Sequence, residues 1–178
     1  MINKEQPNRV RVVGDAFDTR DLRQALSAFG TGVTVVTTLD ADARPVGVTA
    51  NSFNSVSLEP PIVLWSLRKA SPSLPAFDAC GRFVINVLTL DQVPISQRFA
   101  SPVPEKFRDV AHAPGEHGLP VIEGCAAVFE CQTEKRKEDG DHIMYLGRVQ
   151  SYHHRPGPGL LFCQGRYAQG VSLAQGAA

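Results

Sequence analysis

The sequence predicts a mainly β domain of the α+β class, an antiparallel barrel with short helices packed on its outside. Three observations predict it. Some seven stretches are rich in β-branched and aromatic residues, and about three short stretches have helical spacing. The two kinds do not alternate regularly, which disfavours a parallel doubly wound sheet. At 178 residues, one core can bury roughly 70% of the extended-chain surface without staples. No repeat, linker or low-complexity stretch divides the chain, so residues 17–178 read as one domain and 1–16 as an N-terminal arm.

The first element is a helix capped by Asp18 or Thr19, with Leu22, Ala25, Leu26 and Phe29 on one apolar stripe. Gly30 and Gly32 are expected to end it through positive φ. Val33–Leu39 and Val46–Ala50 read as strands joined by the polar connection Asp40–Pro45. Pro60-Pro61 forces an extended entry into a strand at Ile62–Leu67. Ser71-Pro72 marks the start of a helix that stops at Gly81, with Pro75 able to delay it. Phe83–Leu88 is the next strand, and Asp91 is expected to cap a helix over Gln92–Ala100. Ser101–Pro120 holds four prolines and two glycines and reads as a long irregular loop, a length that usually serves function. Strands return at Ala126–Lys135, His142–Tyr152 and Leu160–Cys163, with a charged turn at Arg136–Asp141.

Charge and composition narrow the function. Lys plus Arg is 18 and Asp plus Glu is 18, so no positive field collects nucleic acid. The longest apolar run, Cys125–Phe129, is far short of the roughly 20 residues that span a bilayer. Met1–Val13 carries charges and no apolar signal core, so a cytoplasmic setting is expected. Cys80, Cys125, Cys131 and Cys163 form no CxxC pair and read as reduced thiols. Their spacing, even with His153 and His154, is poor for zinc. There is no nucleophile elbow, HExxH or Walker loop, and Gly30-Thr31-Gly32 follows a helix, the wrong context for a dinucleotide fold.

Three polar clusters remain. Thr49-Ala50-Asn51-Ser52-Phe53-Asn54-Ser55-Val56-Ser57 could press backbone, amides and hydroxyls against a flat heterocycle, and equally reads as a polar bulge and turn, the commoner use of such residues. Arg68-Lys69-Ala70-Ser71-Pro72-Ser73 suits a phosphate at a helix start, or a capped helix with solvated charges. In Gly140-Asp141-His142 the imidazole can meet an anionic or amide-bearing ligand, although a lone Asp-His turn is more often surface decoration.

In order along the chain, Phe29-Gly30-Thr31-Gly32-Val33-Thr34-Val35-Val36-Thr37, Gly47-Val48-Thr49-Ala50-Asn51-Ser52-Phe53, Ser55–Pro61, Phe83–Leu88, Phe99-Ala100, Lys106-Phe107, Gly140-Asp141-His142 and Gly165-Arg166-Tyr167 form a set that resembles the flavin reductase-like family. Its members supply reduced flavin to two-component monooxygenases. The resemblance implies an antiparallel Greek-key split barrel and a homodimer. It implies that Thr49, Ala50, Asn51 and Ser52 lie along the isoalloxazine ring and that Ser66, Leu67 and Arg68 follow its other polar side. Ser71 and Ser73 would hold the phosphate, with Phe99, Ala100 and Lys106 closing the pocket. Many relatives have Thr in place of the second Ser in Ser71-Pro72-Ser73, an exchange that keeps the hydroxyl.

Gly140, Asp141, His142, Arg166 and Tyr167 are implied to bind NADH. The implied activity is hydride transfer from NADH to FAD or FMN, with reduced flavin passed to a separate monooxygenase, typically in aromatic catabolism. Since the cofactors carry that chemistry, no protein acid–base pair is required and no catalytic residue or metal ligand is expected. NADH is expected over NADPH because no separate basic pocket for a 2′-phosphate is identifiable. A non-turnover flavin-binding electron-transfer or sensor protein is the main rival reading. A split-barrel oxidase acting on another substrate is the third.

Overall fold

The computed structural model describes residues 18–171; the expected N-terminal arm lies outside them. In chain order the elements are helix α1 (Thr19–Leu26), strands β1 (Thr31–Gly32), β2 (Thr34–Leu39), β3 (Pro45–Ala50), β4 (Asn54–Leu58) and β5 (Pro61–Arg68), and helix α2 (Leu74–Cys80). Strand β6 (Arg82–Val87), a 3₁₀ turn (Leu90–Gln92) and helix α3 (Val93–Ala100) follow. The chain continues with β7 (His112–Pro114), β8 (Pro120–Ile122), β9 (Ala127–Asp139), β10 (His142–His154), β11 (Leu160–Cys163) and β12 (Arg166–Gln169).

Seven strands form one antiparallel sheet in the order β3-β2-β6-β9-β10-β5-β4. Strands β1, β11 and β12 form a small second sheet, and β7 pairs with β8. The mainly β, antiparallel class with short helices is therefore as expected. The ladder itself ends at β3 and β4, with no backbone pairing among the described residues that closes the sheet on itself.

Alternate residues of the central strands feed two cores. Val35, Val84 and Val128 face one that includes Phe99, Phe107 and Leu160. Val36, Ile85 and Cys131 face the other, around Trp65, Phe77, Phe83 and Tyr145. With both faces covered, β2 reads as a nearly unbroken buried run, and its threonines must find partners. Thr34 Oγ1 donates to the Ala50 carbonyl at 2.7 Å and Thr38 Oγ1 to that of Arg82 at 2.8 Å. Asn86 donates to the Val35 carbonyl and accepts from Ile122 N, tying β8 across β2 and β6.

Several expectations change. Helix α1 is capped by Asp18, which accepts from Arg20 N at 2.8 Å, but it ends at Ser27 in right-handed geometry. Neither Gly30 nor Gly32 has positive φ; Gly32 belongs to β1, opposite Leu161. Leu22, Leu26 and Phe29 stay exposed, so the stripe has helical spacing without a packing partner among the described residues. Helix α2 starts at Leu74 rather than Ser71, because Pro75 fits only in a first turn. The residue that caps the turn before α3 is Thr89, whose N–H donates to the Gln92 side chain at 3.1 Å, rather than Asp91.

The expected turn at Arg136–Asp141 shrinks to Gly140-Asp141, with φ of +54° at Gly140 and strand pairing continuing to Asp139 opposite His142. Within the proline-rich loop, β7 and β8 meet around a turn held by buried Glu130, which accepts from the N–H groups of Glu116 and His117. A Cβ on Gly115 would stand 2.6 Å from that carboxylate, so the close approach needs glycine. All four cysteines are free thiols, and burial pushes Cys125 and Cys131 up to about 12. Among the described residues no cluster of three His, Cys, Asp or Glu could hold a metal, and no helix is long and apolar enough to cross a membrane.

Candidate functional site

A cleft of about 540 Å³ opens where the end of β3, the end of β5, the loop before α2 and the end of α3 converge. That volume is in the roughly 300–1,000 Å³ range of small-molecule sites. Its walls contain Thr49, Ala50, Asn51, Ser52, Ser66, Leu67, Arg68, Ser71, Ser73, Phe99, Ala100 and Lys106, together with His142. Residues spread over some ninety positions of sequence are thus gathered at one opening.

Each wall is fixed by a hydrogen bond to main chain. Ser52 Oγ accepts from Ser66 N at 2.9 Å and donates to the Ser66 carbonyl at 3.2 Å, so one hydroxyl fastens the exit of β3 to β5. Thr49 Oγ1 donates to the Ser96 carbonyl at 2.7 Å, fastening β3 to α3. Gly47 allows that contact: a Cβ there would lie 2.5 Å from the Phe99 ring. With these hydroxyls engaged, the β3 wall presents small side chains, backbone and the exposed Asn51 amide.

The cations differ in their freedom. Lys106 Nζ donates to the Phe99 carbonyl at 2.8 Å, and partial burial lowers its pKa. Lys69 points its ammonium to Glu138 at 3.3 Å and is not part of the wall, so of these two adjacent cations only Arg68 lines the cleft. Arg68 enters no ion pair among the described residues. Ser71 Oγ accepts from Ser73 N at 3.3 Å. These two residues precede a seven-residue helix, so hydroxyls and the Arg68 guanidinium, rather than a long helix dipole, are the groups this wall offers to an anion.

His142 stands across the ladder from Arg68, the first residue of β10 against the last of β5. Its Nδ1 lies 2.7 Å from Asp141 Oδ1. The hydrogen bond to His142, then its charge, holds the Asp141 carboxyl below its usual value. The ionised carboxylate accepts, which fixes the proton on Nδ1 and leaves Nε2 for a ligand. Gly140 and Asp141 form the hairpin turn behind His142 and do not line the cleft.

Arg166 and Tyr167 are not in this cleft. They line a second concavity of about 830 Å³ between α1 and the β11–β12 hairpin, with Gln24, Ser27 and Cys163. Tyr167 still touches the first site indirectly, its hydroxyl 2.9 Å from Ser96 Oγ. Sequence reasoning did not assign Val48, Ser101 and Pro102 to the cleft wall, and it named Ala70 and Pro72 only as members of the Arg68–Ser73 cluster. Their neighbours in sequence were singled out, but an apolar or small residue carries no chemical signal of its own.

A model of the flavin reductase like domain matches residues 26–170 of this sequence. The chain belongs to that family. Among its relatives is a Rhizobium meliloti protein named "Probable flavin reductase", 44% identical over 88% of this chain and 50% of that protein. This chain therefore spans about half that relative's length. The FMN reductase (NADH) SmoA of Agrobacterium fabrum is 41% identical over 93% of this chain and 94% of its own. Among solved structures, the NADH:FAD oxidoreductase SgcE6 of Streptomyces globisporus, in complex with NAD and FAD fragments, superposes with a TM-score of 0.85. It is 36% identical and covers 93% of this chain and all of its own.

Proposed function

We propose that this member of the flavin reductase like family is an NADH-dependent flavin reductase that releases reduced FAD or FMN to a separate monooxygenase. The observation that carries the reading is the single cleft containing all twelve residues expected for flavin together with His142. Its donor set suits the ligand. Arg68, Ser71 and Ser73 offer a cation and two hydroxyls for a phosphate, while Ala50 and Ser52 put small side chains on the wall that a ring would approach.

With flavin and nicotinamide bound, the two groups supply the reactivity between themselves. This chain's residues then have positioning tasks. The Ser52 and Thr49 bonds keep the β3 wall rigid, Phe99 and Ala100 limit one end, and Lys106 and Arg68 meet anionic groups. His142, oriented by Asp141, holds the nicotinamide side. Arg166 and Tyr167 belong with NADH in this reading, on the far side of the Ser96 contact. An open cleft suits a flavin that must leave after reduction.

The same reading includes a homodimer, an aromatic compound as the monooxygenase's substrate class, and a cytoplasmic setting. It places residues 17–178 in one domain after an arm at 1–16. It also takes the seven-stranded sheet as a Greek-key split barrel. Ser52 supports this by joining the β3 end to β5 where the backbone ladder does not.

The test is steady-state oxidation of NADH and NADPH with FAD, FMN and riboflavin offered in turn. Turnover with free flavin, faster with NADH, is the expected result. Tightly held flavin with no turnover would favour an electron-transfer or sensor role. In His142→Ala the KM for NADH should rise; unchanged NADH kinetics at saturating flavin would remove His142 from the site.

A further inference from the structure

The wall of the cleft that ends at Lys106 is fastened from outside by a residue that does not line it. Arg98, in the last turn of α3, donates from Nε to the Lys106 carbonyl at 2.8 Å and from Nη2 to the Glu105 carbonyl at 3.4 Å. Its side chain is half-buried and absent from the cleft wall. The backbone it holds is not one the chain adopts freely. Glu105 has φ of +49° and Asp109 of +60°, left-handed conformations that residues with a Cβ keep only when their surroundings hold them.

Lys106 then reaches back inward. Its ammonium sits on the Phe99 carbonyl at the end of α3, half-buried, with no carboxylate in ion-pair range among the described residues. Two consecutive residues of one helix, Arg98 and Phe99, thus grip Lys106 by its carbonyl and by its ammonium. A lysine stem left to itself is flexible and keeps its charge hydrated. Holding the ammonium at a partly dry wall, without a countercharge, prepares it for an anionic ligand.

We propose that Arg98 is a positioning residue for the cleft: its fork holds the Glu105–Lys106 backbone so that the Lys106 ammonium stands ready for an anionic group of the flavin. The proposal rests on the flavin reductase reading. Through this contact Arg98 sets flavin affinity and residence time, and it takes no part in the redox step. A lysine at 98 keeps the charge and loses the planar two-donor fork, so it restores only part of the effect.

The experiment is an equilibrium titration of FMN and FAD, followed by flavin fluorescence, on wild type, Arg98→Ala, Arg98→Lys, Lys106→Met and the Arg98→Ala/Lys106→Met pair. Arg98→Ala should raise the flavin Kd about tenfold, with Arg98→Lys between it and wild type. The pair should bind no worse than Lys106→Met alone, because Arg98 acts through Lys106. For the Arg98 variants the KM for flavin should follow Kd while kcat at saturating flavin stays within about twofold of wild type. Emission from Trp65, the protein's single tryptophan, reports whether each variant is folded. If Arg98→Ala is not, the same comparison is made with Arg98→Lys and its pair with Lys106→Met. An unchanged Kd in the folded arginine variant, or losses that multiply in the pair, would overturn the proposal. Failure of wild type to bind either flavin would instead overturn the flavin reading itself.

Discussion

Two concavities of this molecule differ in both size and construction. The cleft between β3, β5 and α3 measures about 540 Å³, and that beneath α1 about 830 Å³. Around the first, side chains are tied to backbone: Ser52 to Ser66, Thr49 to Ser96, Lys106 to Phe99, Arg98 to Lys106. The second is bordered by α1, a helix with no buried residue, in which Leu26 is 66% exposed and just beyond which Phe29 is 77% exposed. The larger cavity is thus the less organised one. Affinity depends on groups already held where the ligand needs them, and volume alone does not supply that.

The contrast can be broken most forcefully at Gly47. In Gly47→Ala the new methyl meets the Phe99 ring, so the buried ring, or α3 with it, must shift. A stability loss of about 1–3 kcal/mol should accompany at least a tenfold loss of flavin affinity. Melting curves and flavin titration check the two effects separately, and an unchanged affinity would mean that the α3 wall is not part of the site.

Next in size is Ser52→Ala, which leaves Ser66 N without the side-chain acceptor that joins the walls. It should cost about 1–2 kcal/mol in denaturant unfolding and weaken flavin several-fold. A mutant that loses stability with no change in flavin Kd would make Ser52 a fold residue alone.

Asp78→Asn probes rigidity behind the cleft. Asp78, on α2, accepts from Tyr145 Oη at 2.7 Å and from Arg136 Nε at 2.8 Å. Burial raises the Asp78 pKa, but the bonds from Arg136 and Tyr145 outweigh it and hold the carboxyl below 3.8. A folded-state pKa below the unfolded one means stabilisation that is fully present above about 3.8 and lost as pH falls through the lower folded value. Wild type should therefore lose its advantage over Asp78→Asn in acid, with a neutral-pH difference of about 1 kcal/mol or less because the pair is partly exposed. Parallel acid-unfolding curves would contradict this.

The smallest effect should come from the second concavity. Leu26→Ser should change stability by no more than about 0.5 kcal/mol, as at other sites without packing partners. Arg166→Ala sharpens the contrast: in the proposed function it raises the KM for NADH, and less than His142→Ala does. Equal increases would make the second concavity a full partner of the first, and no increase would detach it from the reaction.

Much of the site was legible because its chemistry is written in side chains. Arg68, Ser71, Ser73, Lys106 and His142 stand out by type, and their order in the chain matches a family pattern. The functions of the hydroxyls were not legible. Ser52 and Thr49 look like ligand-facing groups in the sequence, yet each is engaged with backbone from another element. Lys69 looks equivalent to Arg68, but strand pairing brings Glu138 beside it. Strand β4 escaped notice because its alternation is only Val56 and Leu58 among polar residues, too short to separate from a turn, and both side chains are exposed at the sheet edge. Strands β7 and β8 are three residues each and contain prolines, so propensity argued against them.

By itself the sequence determined the mainly β antiparallel class, the long runs of β2, β5, β6, β9 and β10, and the polar clusters that the cleft gathers. These are local properties: branching at Cβ, apolar periodicity, proline and glycine placement, and charge. Only the tertiary structure decided which cations stay free, which hydroxyls become fasteners, and that Arg166 and Tyr167 lie apart from His142. Those outcomes depend on contacts between residues far apart in the chain. Ser52 is 14 positions from Ser66, and Thr49 is 47 from Ser96. Spacing along a strand or helix says nothing about which distant backbone a side chain will reach.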